Sequence, residues 1–219
     1  MSKTKSAGVQ FDAKCVRCPR IADFLVTVRE THPDYHAGPV PPFGMDKPEL
    51  LVVGLGPGMH GANATGRPFT GDYAGILLYK TLHDYGYCNQ AEATARGDGL
   101  KMINCRITNA LKCLPPGNKP QGSEITNCNS YLEAELKVLK DRLIILALGR
   151  VAHNAILKSQ SFKQSQFPFG HNQIHKLADD RFLVDSYHCS RYNTSTRRLT
   201  EPMFRDVFDS IKTIANEAV

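Results

Sequence analysis

The segment His188–Thr200, HCSRYNTSTRRLT, sets one imidazole at the end of an apolar run spanning Arg181–Tyr187. A polar turn follows, carrying Arg191, Tyr192, Arg197 and Arg198, and then Leu199, read as exposed. A histidine at a strand end offers a hydrogen-bond donor or proton carrier near neutral pH. Three guanidiniums in one turn offer forked donors suited to phosphate oxygens. The combination fits a chemical step carried out beside a nucleic-acid backbone. The plain alternative for His188 is a histidine bonded to neighbouring backbone.

The cysteines form a second constellation. Cys15-Val-Arg-Cys18 has the spacing at which two thiolates bind one metal centre, and Cys113 and Cys128 stand beside turn or helix-start signals. Cys88, Cys105 and Cys189 have no partner spacing. Seven cysteines, an odd count, behind the polar start MSKTKSAG argue against a disulfide framework. Spacing alone favours zinc.

A third group follows the run Glu49–Leu55. Gly56, Gly58 and Gly61 match GxGxxG, but the chain continues as turn-rich GANATGRPFTGD where a dinucleotide fold needs a helix. The glycines, Gly54 among them, therefore indicate close backbone approach to something flat or phosphorylated. Phe69 is either core filling or an aromatic face for a base. Asp72 is either a residue favoured in a helix's first turn or a catalytic carboxylate. Asn109 either closes a loop or reads a ligand with its donor–acceptor pair.

The elements that must position these groups are legible from periodicity. Four apolar runs, Glu49–Leu55, Lys101–Thr108, Arg142–Leu148 and Arg181–Tyr187, read as strands, and the first and third have the near-continuous Val/Ile/Leu content of strands buried on both faces. Helical spacing marks Arg17–Arg29, Gly71–Tyr85, Ser123–Lys140 with Ser123 as N-cap, Val151–Lys158 and Glu201–Ala218. His32–Pro48, with five prolines, reads as an irregular connector, and residues 1–13 as a loose start. The order predicts one domain over residues 1–219: a three-layer α/β/α sandwich around a four-stranded parallel sheet. In such sheets, sites form at the carboxyl ends of the strands. The segments after Leu55, Thr108 and Tyr187 all lie there.

Length and charge set outer bounds. A chain of 219 residues can bury a full core without a staple, and a net charge of +6 permits a nucleic-acid partner without requiring one. With no apolar run of transmembrane length, the expectation is a soluble cytoplasmic protein, acting as a monomer and away from membranes.

Four motifs taken in order, CVRC, GLGPGMHGANATGRPFTGD, ITNALKCLPPGNKP and HCSRYNTSTRRLT, resemble those of the iron–sulfur uracil-DNA glycosylases, most closely the family 5 (type B) branch. The resemblance covers roughly Cys15 to Thr200. It implies a DNA-repair enzyme that flips uracil, and other deaminated bases such as hypoxanthine or xanthine, out of DNA and hydrolyses the N-glycosidic bond. It implies that Cys15, Cys18, Cys113 and Cys128 hold a [4Fe–4S] cluster, in place of zinc. It further implies that Phe69 stacks on the extruded base, that Asn109 reads the base edge with Asn118 as a second amide candidate, and that His188 lies near O2 of the leaving base. Gly54 and Gly56 then belong to the base-binding wall. Arg191, Arg197 and Arg198 would hold phosphates, with Leu199 or Tyr192 filling the vacated stack.

The segment GLGPG holds no carboxylate or amide, so Asp72 is the candidate to orient water or stabilise the sugar cation. Two departures from the family pattern stand out: Cys189 replaces the usual proline after the histidine, and Arg197-Arg198 replaces a small residue and lysine. The rival reading is a metal-stapled DNA-binding protein without catalysis.

Overall fold

The computed structural model describes residues 10–139 and 142–217. The ends of two expected helices, at Lys140 and Ala218, and most of the expected loose start lie outside them. The sheet has six strands in the order β1-β3-β2-β4-β6-β5. These are β1 (Phe43–Gly44), β2 (Leu50–Gly54), β3 (Cys105–Asn109), β4 (Ile144–Leu148), β5 (Ile174–Lys176) and β6 (Phe182–Ser186).

The four expected strands form its centre, all parallel. The expectation of four strands is corrected by two short antiparallel edges, β1 on β3 and β5 on β6. Two and three residues are too few to show a period, and β1 lies inside the proline-rich connector. The expected start at Lys101 is also too early, since Met102 forms only an isolated bridge with Cys88 before β3 begins at Cys105.

Alternation along the central strands feeds two cores. Leu50, Val52, Ile144, Leu146 and Val184 face α3 (Tyr73–Asp84) and α7 (Glu201–Asn216), which supply Leu78, Leu82, Phe204 and Phe208. Leu51, Val53, Ile145, Ala147 and Leu183 face α4 (Gly122–Val138) and α5 (Arg150–Ser159). Helix α1 (Pro19–Thr31) packs Ile21, Leu25 and Val28 against Leu111, Leu114 and Tyr131 in a third cluster. The three layers are therefore as expected.

Helix starts follow side-chain capping. Asp72 caps α3 by accepting from Gly75 N, and Thr200 caps α7 by accepting from Met203 N. Ser123 does not cap α4. That role belongs to Gln121, whose side chain and Glu124 form a reciprocal capping box. Glu124 also takes a two-pronged ion pair from Arg20, 2.8 Å on each arm, which ties α1 to α4. Two short helices, α2 (Ala62–Thr65) and α6 (Arg191–Ser195), fill segments expected as turns. Among the described residues, no helix is long and apolar enough to cross a membrane.

Candidate active site

A cleft of about 390 Å³ opens at the carboxyl ends of β2, β3 and β6. Register explains what meets there. Gly54 pairs with Asn109 at the ends of β2 and β3, so the amide stands beside a residue with no side chain. A Cβ on Gly54 would lie 2.5 Å from both Asn109 Oδ1 and Phe69 Cζ. Glycine at this position is therefore what lets the ring and the amide share one wall.

Gly56, Phe69, Asp72, Asn109, Asn118, His188 and Arg191 line the cleft, as expected of binding residues. They come from five segments of chain. Asn118 stands at the exposed mouth, in a left-handed conformation (φ +56°) after Gly117.

Phe69 is buried and left-handed (φ +52°). For a non-glycine residue that conformation costs about 1–3 kcal/mol and persists only where its surroundings hold it. Its ring lies 6.1 Å from the His188 ring, at 30° between planes. Asn109 Oδ1 and His188 Nδ1 are both buried without a hydrogen-bond partner. Native proteins seldom leave such groups unpaired, so two orphans on one cleft point to a ligand that completes them. Burial pushes His188 down to about 4, which leaves the imidazole neutral at pH 7.

Asp72 combines a structural contact with a place on the cleft. One carboxylate oxygen caps α3, 2.8 Å from Gly75 N, while the side chain also lines the cleft. Burial raises its pKa, against the lowering effect of the Gly75 and Ala74 N–H groups. A Cβ on Gly61 would meet Asp72 at 2.4 Å, so the glycine-rich turn closes directly over this carboxylate.

The turn after His188 departs from expectation in one respect. Leu199 is fully buried in the core with Phe204 and Phe208, so it is not an exposed wedge. Helix α6 folds back, Leu199 N donates to Asn193 O, and the leucine is carried inward. Tyr192, 71% exposed, remains at the surface. Arg191, Arg197 and Arg198 are exposed, with Arg191 over the Tyr73 ring at 5.8 Å and Arg198 over Tyr187 at 4.9 Å. Cys189 is fully buried.

Sequence reasoning missed the segment after β4. Arg150, over the Phe169 ring at 5.1 Å, lines a neighbouring cleft of about 330 Å³ with Phe169, Tyr187, Asn193 and Arg198. The signal was available, because Gly149-Arg150 also follows the carboxyl end of a central strand. Asn193 was missed too, and it donates to His188 O at 2.8 Å, fixing the backbone of the histidine.

The four expected ligand cysteines meet away from this cleft, around a small cavity of about 30 Å³ between α1, α4 and the loop after β3. Cys128 Sγ accepts from Lys112 N at 3.2 Å, and Asn127 Nδ2 reaches Cys18 Sγ at 3.9 Å. Burial, and then the neighbouring Cys128, Cys15 and Cys18, push Cys113 up to about 12. Thiols that raise one another in this way need a positive centre to be held as thiolates.

Ligand atoms of His153, His175 and Asp185 lie within 4.8 Å of one another. Their polar atoms are taken up by one another and by the carbonyls of Phe167 and Pro168.

Comparison with known proteins decides the family. The model of the uracil DNA glycosylase superfamily matches residues 41–212. The chain belongs to that superfamily. A type-5 uracil-DNA glycosylase of Thermus thermophilus is 40% identical over 96% of this chain and 98% of its own length. One from Mycobacterium leprae is 38% identical over 92% and 91%. A type-4 uracil-DNA glycosylase of Sulfurisphaera tokodaii is 28% identical over 79% and 74%. The higher identity to the type-5 relatives, over nearly the full chain, places this superfamily member on the type-5 branch.

Proposed function

We propose that the chain is a monofunctional DNA glycosylase of base-excision repair, which flips uracil out of DNA and hydrolyses its N-glycosidic bond to leave an abasic site. One observation carries this reading. A stacking ring, a buried acceptor without a partner and a neutral imidazole line one cleft of nucleobase size at the sheet's carboxyl edge.

Each group has a task in that reaction. A base inside a duplex is out of reach, so extrusion costs a few kcal/mol before chemistry begins. Tyr192 stands exposed where it can fill the vacated stack, with Arg191, Arg197 and Arg198 on the flanking phosphates. The extruded base stacks on Phe69. The orphan acceptor of Asn109 takes the N3–H of uracil, and the amide's NH₂ reaches O4. Cytosine offers an acceptor at N3 and a donor at C4, leaving buried groups unpaired, which gives strong discrimination.

As the glycosidic bond breaks, positive charge grows on the sugar and negative charge on the base. Neutral His188 donates to O2 of the leaving base, an electrostatic contribution of about 3 kcal/mol. Asp72, fixed by its cap on α3, orients the attacking water or stabilises the sugar cation. Water adds at C1′ and the base departs with the bonding electrons, later gaining a proton. The wall contributed by Leu55 and Pro57 is apolar, which supports acceptance of hypoxanthine or xanthine as well.

Cys15, Cys18, Cys113 and Cys128 would hold a [4Fe–4S] cluster. The meeting of four thiols around one cavity supports this assignment, since such clusters take all-thiolate ligation. Its task there is structural, since its ligands line a cavity separate from the cleft. The enzyme acts as a monomer in this reading.

The test is release of base from duplexes carrying uracil, hypoxanthine or xanthine, scored as abasic sites. His188→Ala and Asp72→Ala are each expected to slow single-turnover excision of uracil at least about tenfold, ~1.4 kcal/mol. Full activity in both variants overturns the assignment, and a wild-type chain that binds DNA without making abasic sites overturns the function.

A further inference from the structure

We propose that Arg67 and Asp98 are positioning residues, which act through Phe69 by holding its ring where the extruded base must stack. The proposal rests on the glycosylase reading and assigns that site two supports outside the cleft.

Phe69 does not hold its left-handed backbone by its own contacts alone. Every residue beside it is tied. Arg67 is buried (5% exposed), and its guanidinium grips the Asp98 carboxylate at 2.8 and 2.6 Å. Its third nitrogen, Nε, donates to Thr70 Oγ1 at 2.8 Å, across the back of Phe69. Pro68 O accepts from Tyr79 OH at 2.8 Å, and Gly71 N donates to Ala93 O at 3.0 Å. The Phe69 carbonyl is pressed against α3 so closely that a Cβ on Gly75 would lie 1.9 Å from it.

Asp98 is the fixed point of this arrangement. Besides the guanidinium it accepts from the N–H groups of Thr94, Ala95 and Leu100, so the whole turn is folded around one carboxylate. Forked Arg–carboxylate pairs fix direction as well as distance, which a lysine cannot reproduce. Arg67 also lies over the Phe43 ring at 5.1 Å, which covers one face of the guanidinium. The chain 67–71 is thereby referred to a separate turn and to the sheet edge β1, and Phe69 is the residue left strained between its ties. Strained backbone at a binding residue, held by neighbours, is how a site is preorganised.

The experiment is a double-mutant cycle on the full-length holoprotein, read by single-turnover excision of uracil from a duplex. Asp98→Asn is expected to slow excision about tenfold in the wild-type background and less than twofold in a Phe69→Ala background. Arg67→Lys is expected to behave in the same way, and it carries the cycle if Asp98→Asn does not fold. An equal loss in both backgrounds overturns the proposal, because the pair then acts on stability or on another part of the site. No loss in the wild-type background overturns it too.

If the wild-type chain makes no abasic sites, the glycosylase reading has failed, and the positioning claim is judged separately. A crystal structure of Asp98→Asn is then expected to show Phe69 out of the left-handed region. Phe69 unmoved in that structure overturns the claim.

Discussion

His188 lines the cleft and also bears on the pH dependence of stability. In the folded protein burial holds its pKa near 4, while a free histidine titrates near 6.5. Between those values the unfolded chain binds the proton and the folded chain does not, so stability falls as pH falls. We expect wild type to lose roughly 2 kcal/mol through this residue between about pH 7 and about pH 4.5, less than the full shift implies because the window closes before the folded-state value is reached. His188→Gln, which keeps a donor, should lose that much less in urea titrations at the two pH values. Equal losses in the two proteins would mean that the imidazole is not the titrating group. At this scale the sequence was legible for His188, Phe69 and Asn109, whose types suit strand ends and loops at a sheet edge. It was not legible for Leu199. An apolar residue in a polar turn looks exposed unless one knows that α6 folds back and turns it inward.

At the scale of elements, the central strands were readable because burial on both faces demands unbroken Val, Ile and Leu. The edges β1 and β5 were not, since a strand of two or three residues with one free side has no demanding pattern. The cap of α4 was misplaced by two residues because Ser123 is the commoner capping type, whereas Gln121 works here only in partnership with Glu124. Helix α1 has the most to lose from a local change. It buries Ile21, Leu25 and Val28, and is also held by Arg20, by Arg29, which donates to Ala37 O, and at its start by the cysteines. Cys113→Ala should therefore abolish visible absorption near 400 nm in anaerobically purified protein and lower the Tm by at least about 5 °C. A colourless variant with an unchanged Tm would show that the metal centre does not support α1.

Across the whole molecule, cations collect where the sheet's carboxyl edge meets solvent. Arg150, Arg191 and Arg198 line the two adjoining clefts, on a chain whose net charge is only +6. Overall charge therefore says little, while its placement marks a path for a backbone. Each phosphate contact releases counterions, so removing one should flatten the dependence of log affinity on log salt by about one unit. Arg198→Ala should do so and weaken binding alike for uracil-containing and undamaged duplexes. An unchanged slope would take Arg198 off the DNA path.

The sulfur cavity also has a consequence for how the protein is made. Cys15 and Cys18 leave the ribosome early, but their partners Cys113 and Cys128 follow about a hundred residues later. Closing a loop of that length is entropically costly, and the four sulfurs cannot all meet until α4 has emerged with Cys128. By then β2, β3 and the loop leading into α3, which carry Gly54, Asn109, Phe69 and Asp72, have already been synthesised. A centre held by all four sulfurs would thus be a late checkpoint on the nascent chain. It would come after much of the cleft exists as sequence and before His188 follows β6.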